Sequence, residues 1–322
     1  STSTGTLGNS GNDIRDCELR DRSDAAGIPA NAVYSSGSAG APNLANTVRQ
    51  SSIYNYTANG VLVAATGAGD GWFVTDNSFY QTAARTTALS GITFAGGSGH
   101  SITGNSIGGG ASGAGGAFLA TSSTFNGINL TVGTTSPTSV QGNVVKNIRS
   151  TSTSFTASYG IWVQAGTVNV GNVLGNTIGA SDPNERFEIN GDSYGIRVVS
   201  TTTANVSNNT VNNMTTSPTV PTGEFYFGIA VEGTAGAHTV QNNTVTNFTN
   251  GSTPDASFNT QTIGMIVQAT GAQTIRGNLV SNVGNSSTAV AATLNNRVWG
   301  FILSGTGVGT VFERNRVSDI YA

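Results

Sequence analysis

The chain's 322 residues carry 13 Lys plus Arg against 16 Asp plus Glu, a net charge of −3, and only 9% of them are charged, against about a quarter in a typical soluble domain. A single lysine, Lys146, and no basic stripe exclude a nucleic-acid-tracking surface, and no apolar run approaches the roughly 18 residues of a membrane span. Gly, Ser, Thr and Asn supply about half of the chain, which raises low-complexity disorder as the first alternative to a fold.

In chain order, residues 1–30 open at Ser1 without a signal peptide, so any targeting segment is expected to be removed or upstream. They hold the densest charge run, Asp16, Glu18, Arg20, Asp21, Arg22 and Asp24, which reads as a solvated face. A short Asn-centred motif first appears around Asn12. Cys17, aligned with Ile148, Met214, Phe248 and Val283 of later units, reads as a buried structural thiol. Residues 31–60 contain a Gly/Ser/Ala-Pro loop and a unit whose Asn is replaced by Ser51. Residues 61–126 carry two units separated by Gly-rich loops, and from Gly127 onward the units are most regular.

The motif is an apolar residue, two free positions, Asn, one position, an apolar residue, one position, Asn or Asp, and an apolar residue. It is clearest in HTVQNNTVTNF, His238 to Phe248. Its centres fall at Asn12, Ser51, Asn77, Asn105, Asn143, Asn176, Asn209, Asn243, Asn278 and Asn315, roughly 34 residues apart, a period typical of solenoids. About 15 residues before each centre stands a second signature, Gly-apolar-any-apolar, as in GIWV at Gly160, GIRV at Gly195 and GIAV at Gly228. Apolar residues alternating over four to six positions predict short strands, and no sustained helical period is present. Disorder would not hold Val and Ile at fixed offsets. A single coil of short strands cannot satisfy its own backbone, but the next coil, about 4.8 Å away, supplies both pairing and a continuing apolar column. Asn tolerates the left-handed bend between strands, and its amide can bond to the Asn above and below. The predicted fold is all-β: a right-handed parallel β-helix of about ten coils in one domain, 1–322, with an internal ladder through Asn77, Asn105, Asn143, Asn176, Asn209, Asn243, Asn278 and Asn315.

In each regular unit a long connection follows the second Asn, for example GASDPNERFEINGDS and TTSPTVPTGEFY, so these loops are expected side by side on one flank, where recognition would concentrate. Tyr159, Tyr194, Phe227, Ile263 and Trp299 stand immediately before the Gly of each unit. Two readings are open for this strip: a sugar-stacking platform, or closure of the loop bases against the core, which the lock to strand register favours. The outward positions project as the column Leu62, Thr93, Asn129, Trp162, Arg197, Ala230, Ile266, Ile302. One step on they project as Ala64, Ala95, Thr131, Gln164, Val199, Glu232, Gln268, Ser304, and neither column sets two carboxylates side by side. A lyase needs acids holding calcium plus a base, and a hydrolase needs carboxylates roughly 5 to 9.5 Å apart. The best polar group is Asp182, Glu185, Arg186, Glu188 and Asp192 in one loop, with Arg197 following as a cation–π partner of Trp162. The weak catalytic candidates are Asp192, Arg197 and Glu188, and the ligand-binding candidates are Trp162, Arg197, Tyr159, Tyr194 and Trp299. His100 and His238 stand in unrelated units, and no metal or cofactor site is expected. Beside the Asn bend, Ser52, Ser78, Ser106, Val144, Thr177, Thr210, Thr244, Leu279 and Arg316 form an interrupted hydroxyl row, a weak ice-binding signal.

The Asn-turn grammar resembles the right-handed parallel β-helix repeat proteins, the group that includes pectin-lyase-like enzymes. The combination of GNxVxNI, SxGIxV and long Ser/Thr/Pro loops is more similar to very long secreted bacterial surface proteins exported by the type IX route. That resemblance implies a non-catalytic extracellular surface, adhesin or filament scaffold with glycan-binding loops, whose partner is surface polysaccharide. The alternative is a polysaccharide lyase or glycoside hydrolase, and the third reading a tailspike-like or ice-binding module. Gly99-His100-Ser101 is only a partial echo of the hydrolase pattern Gly-His-Gly, and the acidic patterns of that family are missing. With neither end carrying an amphipathic cap, both read as cut surfaces of a longer solenoid, on which further coils of the same chain or another copy are expected to stack.

Overall fold

The computed structural model describes residues 8–22, 27–38, 40–65, 67–150, 157–200, 202–216, 225–233, 236–251, 260–285, 297–305 and 307–321. Their strands form three sheets running the length of the molecule, and every pairing between strands is parallel. Each coil passes through the sheets in turn. The first sheet has nine strands, from Asn31–Ser35 to Arg297–Ser304, and carries the Gly-apolar signature. The second has ten, from Asp13–Arg15 to Val311–Glu313, and leads into the Asn bend. The third has thirteen, because in several coils a bend splits one pass into two short strands, such as Val144–Val145 and Ile148–Ser150. The chain closes about 8 turns, slightly fewer than the ten expected; among the described residues it enters at the second sheet, which therefore has ten strands where the first has nine. Among the described residues the only helical pieces are two single turns, Ser112–Ala114 and Pro183–Glu185, and no helix is long and apolar enough to cross a membrane.

The cross-section is fixed by what points inward. Val48, Val74, Ile102, Val140, Val170, Val206, Val240 and Ile275 form an unbroken column of fully buried aliphatic side chains along the second sheet. The signature glycine within each first-sheet strand from Asn59–Val63 to Arg297–Ser304 is required by close approach. A Cβ on Gly160 would lie 2.5 Å from the Gly195 carbonyl oxygen and 2.8 Å from the Ile178 side chain, and one on Gly228 2.5 Å from both the Gly264 carbonyl oxygen and Val245. This is the physical reason for the signature's invariant first position.

The ladder runs as expected from Asn77 to Asn315. From Asn105 onward each carboxamide oxygen accepts two hydrogen bonds from the Asn of the coil before it, one from the backbone N–H at 3.0–3.1 Å and one from Nδ2 at 2.8–3.0 Å. The second Nδ2 hydrogen goes to a backbone carbonyl on the preceding coil's second-sheet strand, Val170 for Asn209 and Val206 for Asn243, so both donors and both acceptor sites are used.

Two details differ from the expectation. The left-handed backbone belongs not to the ladder residue but, in every coil from Ser51 to Asn315 except that of Asn176, to the residue before it (Gln50, Asp76, Gly104, Gly142, Asn208, Asn242, Gly277 and Arg314), and also to the motif's second Asn or Asp at Asn147, Asn213, Asn247, Asn282 and Asp319. In addition, the ladder's N-terminal member is Cys17, not Asn12. The Cys17 backbone N–H donates to Ser51 Oγ at 3.1 Å, and Ser51 N–H donates to Asn77 Oδ1 at 3.0 Å. Asn12 lies five residues earlier and pairs with Asn46. Cys17 is therefore half-buried and outside the apolar core, its Sγ donating to the Arg15 carbonyl.

Candidate functional site

The first-sheet column Leu62, Thr93, Asn129, Trp162, Arg197, Ala230, Ile266, Ile302 is in register as read from the sequence. The next column holds for Val199, Glu232, Gln268 and Ser304. It fails at Gln164, because a bulge between Leu130 and Thr131 sets Thr131 opposite Ala165 and turns Gln164 toward Asn129, 2.7 Å from Nε2 to Oδ1.

Tyr159, Tyr194, Phe227, Ile263 and Trp299 occupy successive strands of the same sheet. They do not close against the core. They form a separate apolar cluster with Ala230, against which Trp162, Ile266 and Ile302 pack. Tyr159, Tyr194 and Phe227 stack at centroid distances of 5.1 and 4.6 Å, and Trp162 stacks on Tyr159 at 4.2 Å. Stacking on one another leaves these three rings only 5–8% exposed. The same column further toward the N-terminus is polar: Asn31, Asn59, Ser90 and Asn126.

Arg197 lies over Tyr194, 4.6 Å from the ring centroid, and not over Trp162. The Trp162 face is taken by Tyr159, and Glu232 on the following strand draws the guanidinium away, Nε donating to Oε2 at 2.7 Å. Arg197 Nη1 also donates to the Tyr159 hydroxyl at 3.4 Å. Burial works against the Arg197 cation, but the negative groups around it hold its pKa above the ordinary arginine value. Burial likewise pushes the Tyr194 hydroxyl far up, with Arg197 opposing. Asp192, at the entrance to the strand Ser193–Val199, accepts the Phe225 backbone N–H at 2.9 Å. Burial raises its carboxyl above the ordinary range, against the Phe225 bond and the Arg197 charge.

The loop cluster expected from 182 to 192 is divided. Glu188 lies in the third sheet opposite Arg149 and accepts from Arg149 Nε at 3.2 Å and Arg186 Nη2 at 2.5 Å, with both guanidinium groups over Phe118. Glu185 pairs with Lys146 at 2.6 Å, and Asp182 caps the turn Pro183–Glu185 through the Asn184 N–H. Glu188 therefore shares no partner with Asp192 or Arg197. Of the other long loops expected on this flank, the bodies at 151–156, 217–224, 252–259 and 286–296 lie outside the described residues. Their anchors fall at one corner, between the third sheet and the first.

His100 and His238 sit in separate coils, and among the described residues no group of three or more His, Cys, Asp or Glu is placed to hold a metal. Each histidine Nδ1 accepts a backbone N–H, from Trp72 at 3.3 Å and from Ala204 at 3.2 Å, and burial lowers the pKa of both rings. The hydroxyl row is in register but broken at Val144 and Leu279. One polar cluster was not foreseen. Arg85, 8% exposed, donates to Gln81 Oε1 at 2.6 Å and Asn55 Oδ1 at 3.1 Å beside the buried Tyr56. It falls in the irregular coils, where the repeat gives no register from which to place it. No family model, curated protein or solved structure matches the chain.

Proposed function

We propose that this chain is a non-catalytic extracellular scaffold of the surface-protein, adhesin or filament kind, with surface polysaccharide as its partner. The observation that carries the reading is that the candidate catalytic groups are engaged by neighbours in the chain and are not gathered at one site. Glu188 is held by two arginines, Arg197 by Glu232 and Tyr159, and Asp192 by a backbone N–H. A general acid and base must reach the same substrate, whereas Glu188 lies in the third sheet and Asp192 at the entrance to the first, a separation that suits a rigid rod presenting loops. The resemblance to long secreted surface proteins points the same way by analogy. Glycan contact in this reading falls to the loop flank and to Trp162, Arg197 and Trp299 beside it, with Tyr159 and Tyr194 supporting them from beneath.

The test is a panel of uronate-containing and neutral polysaccharides, scored separately for binding and for release of reducing ends or unsaturated products. Binding without turnover, weakened in Trp162→Ala, is the expected result. Turnover that disappears in Asp192→Ala and Arg197→Ala would replace the scaffold reading with the lyase or hydrolase.

A further inference from the structure

The outer face of the second sheet carries a pocket far in register from the first-sheet candidates. In the strands Asp13–Arg15, Thr47–Arg49 and Phe73–Thr75 the middle residues Ile14, Val48 and Val74 join the core, so the residues on either side of them face outward. Parallel pairing sets Asp13, Thr47 and Phe73 in one outward column and Arg15, Arg49 and Thr75 in the next. In the first column a small side chain stands between two larger ones. Thr47 lies at the bottom of a dip between Asp13 and Phe73, whose strands are about 9.6 Å apart, two strand spacings. The cavity measures about 380 Å³ and is also lined by Asn12, Arg49 and Thr75, inside the range of roughly 300–1,000 Å³ for small-molecule sites. It opens on the outer surface of the sheet and not on its edge, so a further strand beside Asp13–Arg15 would lie next to it and not over it.

The two sides of the dip differ in chemistry. Phe73 is 46% exposed, where the strands that follow in the same column carry Ser101, Ser139 and Asn169. On the other side Arg49 grips Asp13 with both prongs, Nε donating to Oδ1 at 3.1 Å and Nη2 to Oδ2 at 2.8 Å. The paired arrangement fixes donor and acceptor in one plane, and the Arg49 hydrogen bonds hold the Asp13 carboxyl below the ordinary carboxylate range. Each group keeps capacity beyond that pair, because a guanidinium has five N–H groups and a carboxylate about four lone-pair sites. Arg15 lies 3.8 Å from Asp13, and Asp16 adds a negative charge near Arg49, so two cations are balanced by two anions.

We propose that this pocket binds a neutral pyranose unit of a polysaccharide, its C–H face against Phe73 and two adjacent hydroxyls on the Arg49–Asp13 pair. The class of ligand rests on the scaffold reading, to which the pocket adds a contact surface on a different sheet from the loop flank. A pyranose has an apolar ring face and a polar rim. The face buries against an aromatic ring, and each rim hydroxyl both donates and accepts, matching a guanidinium set beside a carboxylate. An anionic sugar would meet Asp13 and a cationic one Arg49, which selects the neutral ring.

Saturation-transfer NMR titration of the whole chain tests this, with the methyl glycosides of glucose, galactose, mannose and glucuronic acid as probes. At least one neutral glycoside should bind with a Kd of about a millimolar, as suits a ligand of this size. Phe73→Ala should weaken that binding about tenfold or more and Phe73→Trp should retain it, while Arg49→Lys, which cannot grip Asp13 with two prongs, should weaken it about threefold or more. Phe73 is exposed and Arg49→Lys keeps its charge, so these variants should melt with the parent. No binding of any neutral glycoside up to about 50 mM, Phe73→Ala chains that bind like the parent, or a glucuronide that binds more tightly than every neutral probe would overturn the proposal. The scaffold reading fails on a different result, turnover that disappears in Asp192→Ala and Arg197→Ala, and Trp162→Ala should leave the Phe73-dependent binding unchanged.

Discussion

At the scale of single residues, position within the coil decides what a polar side chain is worth. A ladder Asn has every hydrogen-bonding site filled and no exposure at Asn209 and Asn243. Replacing either by Leu strands the Nδ2 and Oδ1 partners on both sides, a loss of about 1–3 kcal/mol of stability by urea unfolding, while Asn212→Leu, on the partly exposed third-sheet surface, should cost well under half as much. Equal costs at all three positions would refute the ladder's role. The histidines give a pH signature. Burial lowers the pKa of His100 and His238 below the ordinary 6.5, so below that pH the unfolded chain binds more protons than the folded one. Their contribution is complete above about pH 6.5 and lost as the pH falls toward the folded-state values. The melting temperature should drop between pH 7.5 and 5, and His100→Gln with His238→Gln should flatten that dependence. Asp192, raised by burial, acts in the opposite sense but nearer its ordinary 3.8. The ladder was legible because one residue type recurs at a fixed offset. The left-handed residue beside it was not, because that position is shared by Gln50, Asp76, Gly104, Asn208 and Arg314 and has conformation, not identity, in common. Cys17 was misplaced by the nearby Asn12, which mimics the motif.

At the scale of the strand, the glycine signature makes the sharpest demand. Gly160→Ala and Gly228→Ala each drive a methyl group into a backbone carbonyl and a core side chain, so a loss of about 1–3 kcal/mol is expected at each. Gly40→Ala, with nothing within 4 Å of the added carbon, should stay within about 0.5 kcal/mol. Strand columns were readable because period-two alternation fixes which residues share a face, and the column from Leu62 to Ile302 followed directly. The bulge at Gln164 was hidden, since nothing local distinguishes the extra residue. Arg197 was paired with the wrong ring because the choice depends on Glu232, a neighbour visible only once the columns of adjacent coils are laid side by side. For the same reason the acids of the 182–192 loop looked like one cluster. Sequence proximity joined Glu188 to Asp192, and the fold sends one to the third sheet and the other to the entrance of the first.

At the scale of the whole molecule, each coil touches only its neighbours, so stability is a sum of coil-to-coil interfaces and is lowest where a coil has one neighbour. The buried apolar columns of the three sheets and the Asn ladder run through the rod without interruption from Asn77 to Asn278. Native-state hydrogen exchange measures their role most directly. The ladder backbone amides of Asn143, Asn176, Asn209 and Asn243, each donating to the carboxamide of the next coil, should exchange only through global unfolding. The amides of Asn278 and Ser51 should exchange faster, through fraying of the outer coils. Ladder amides that exchange as fast as those in the short turns would contradict a rod organised around its buried asparagines.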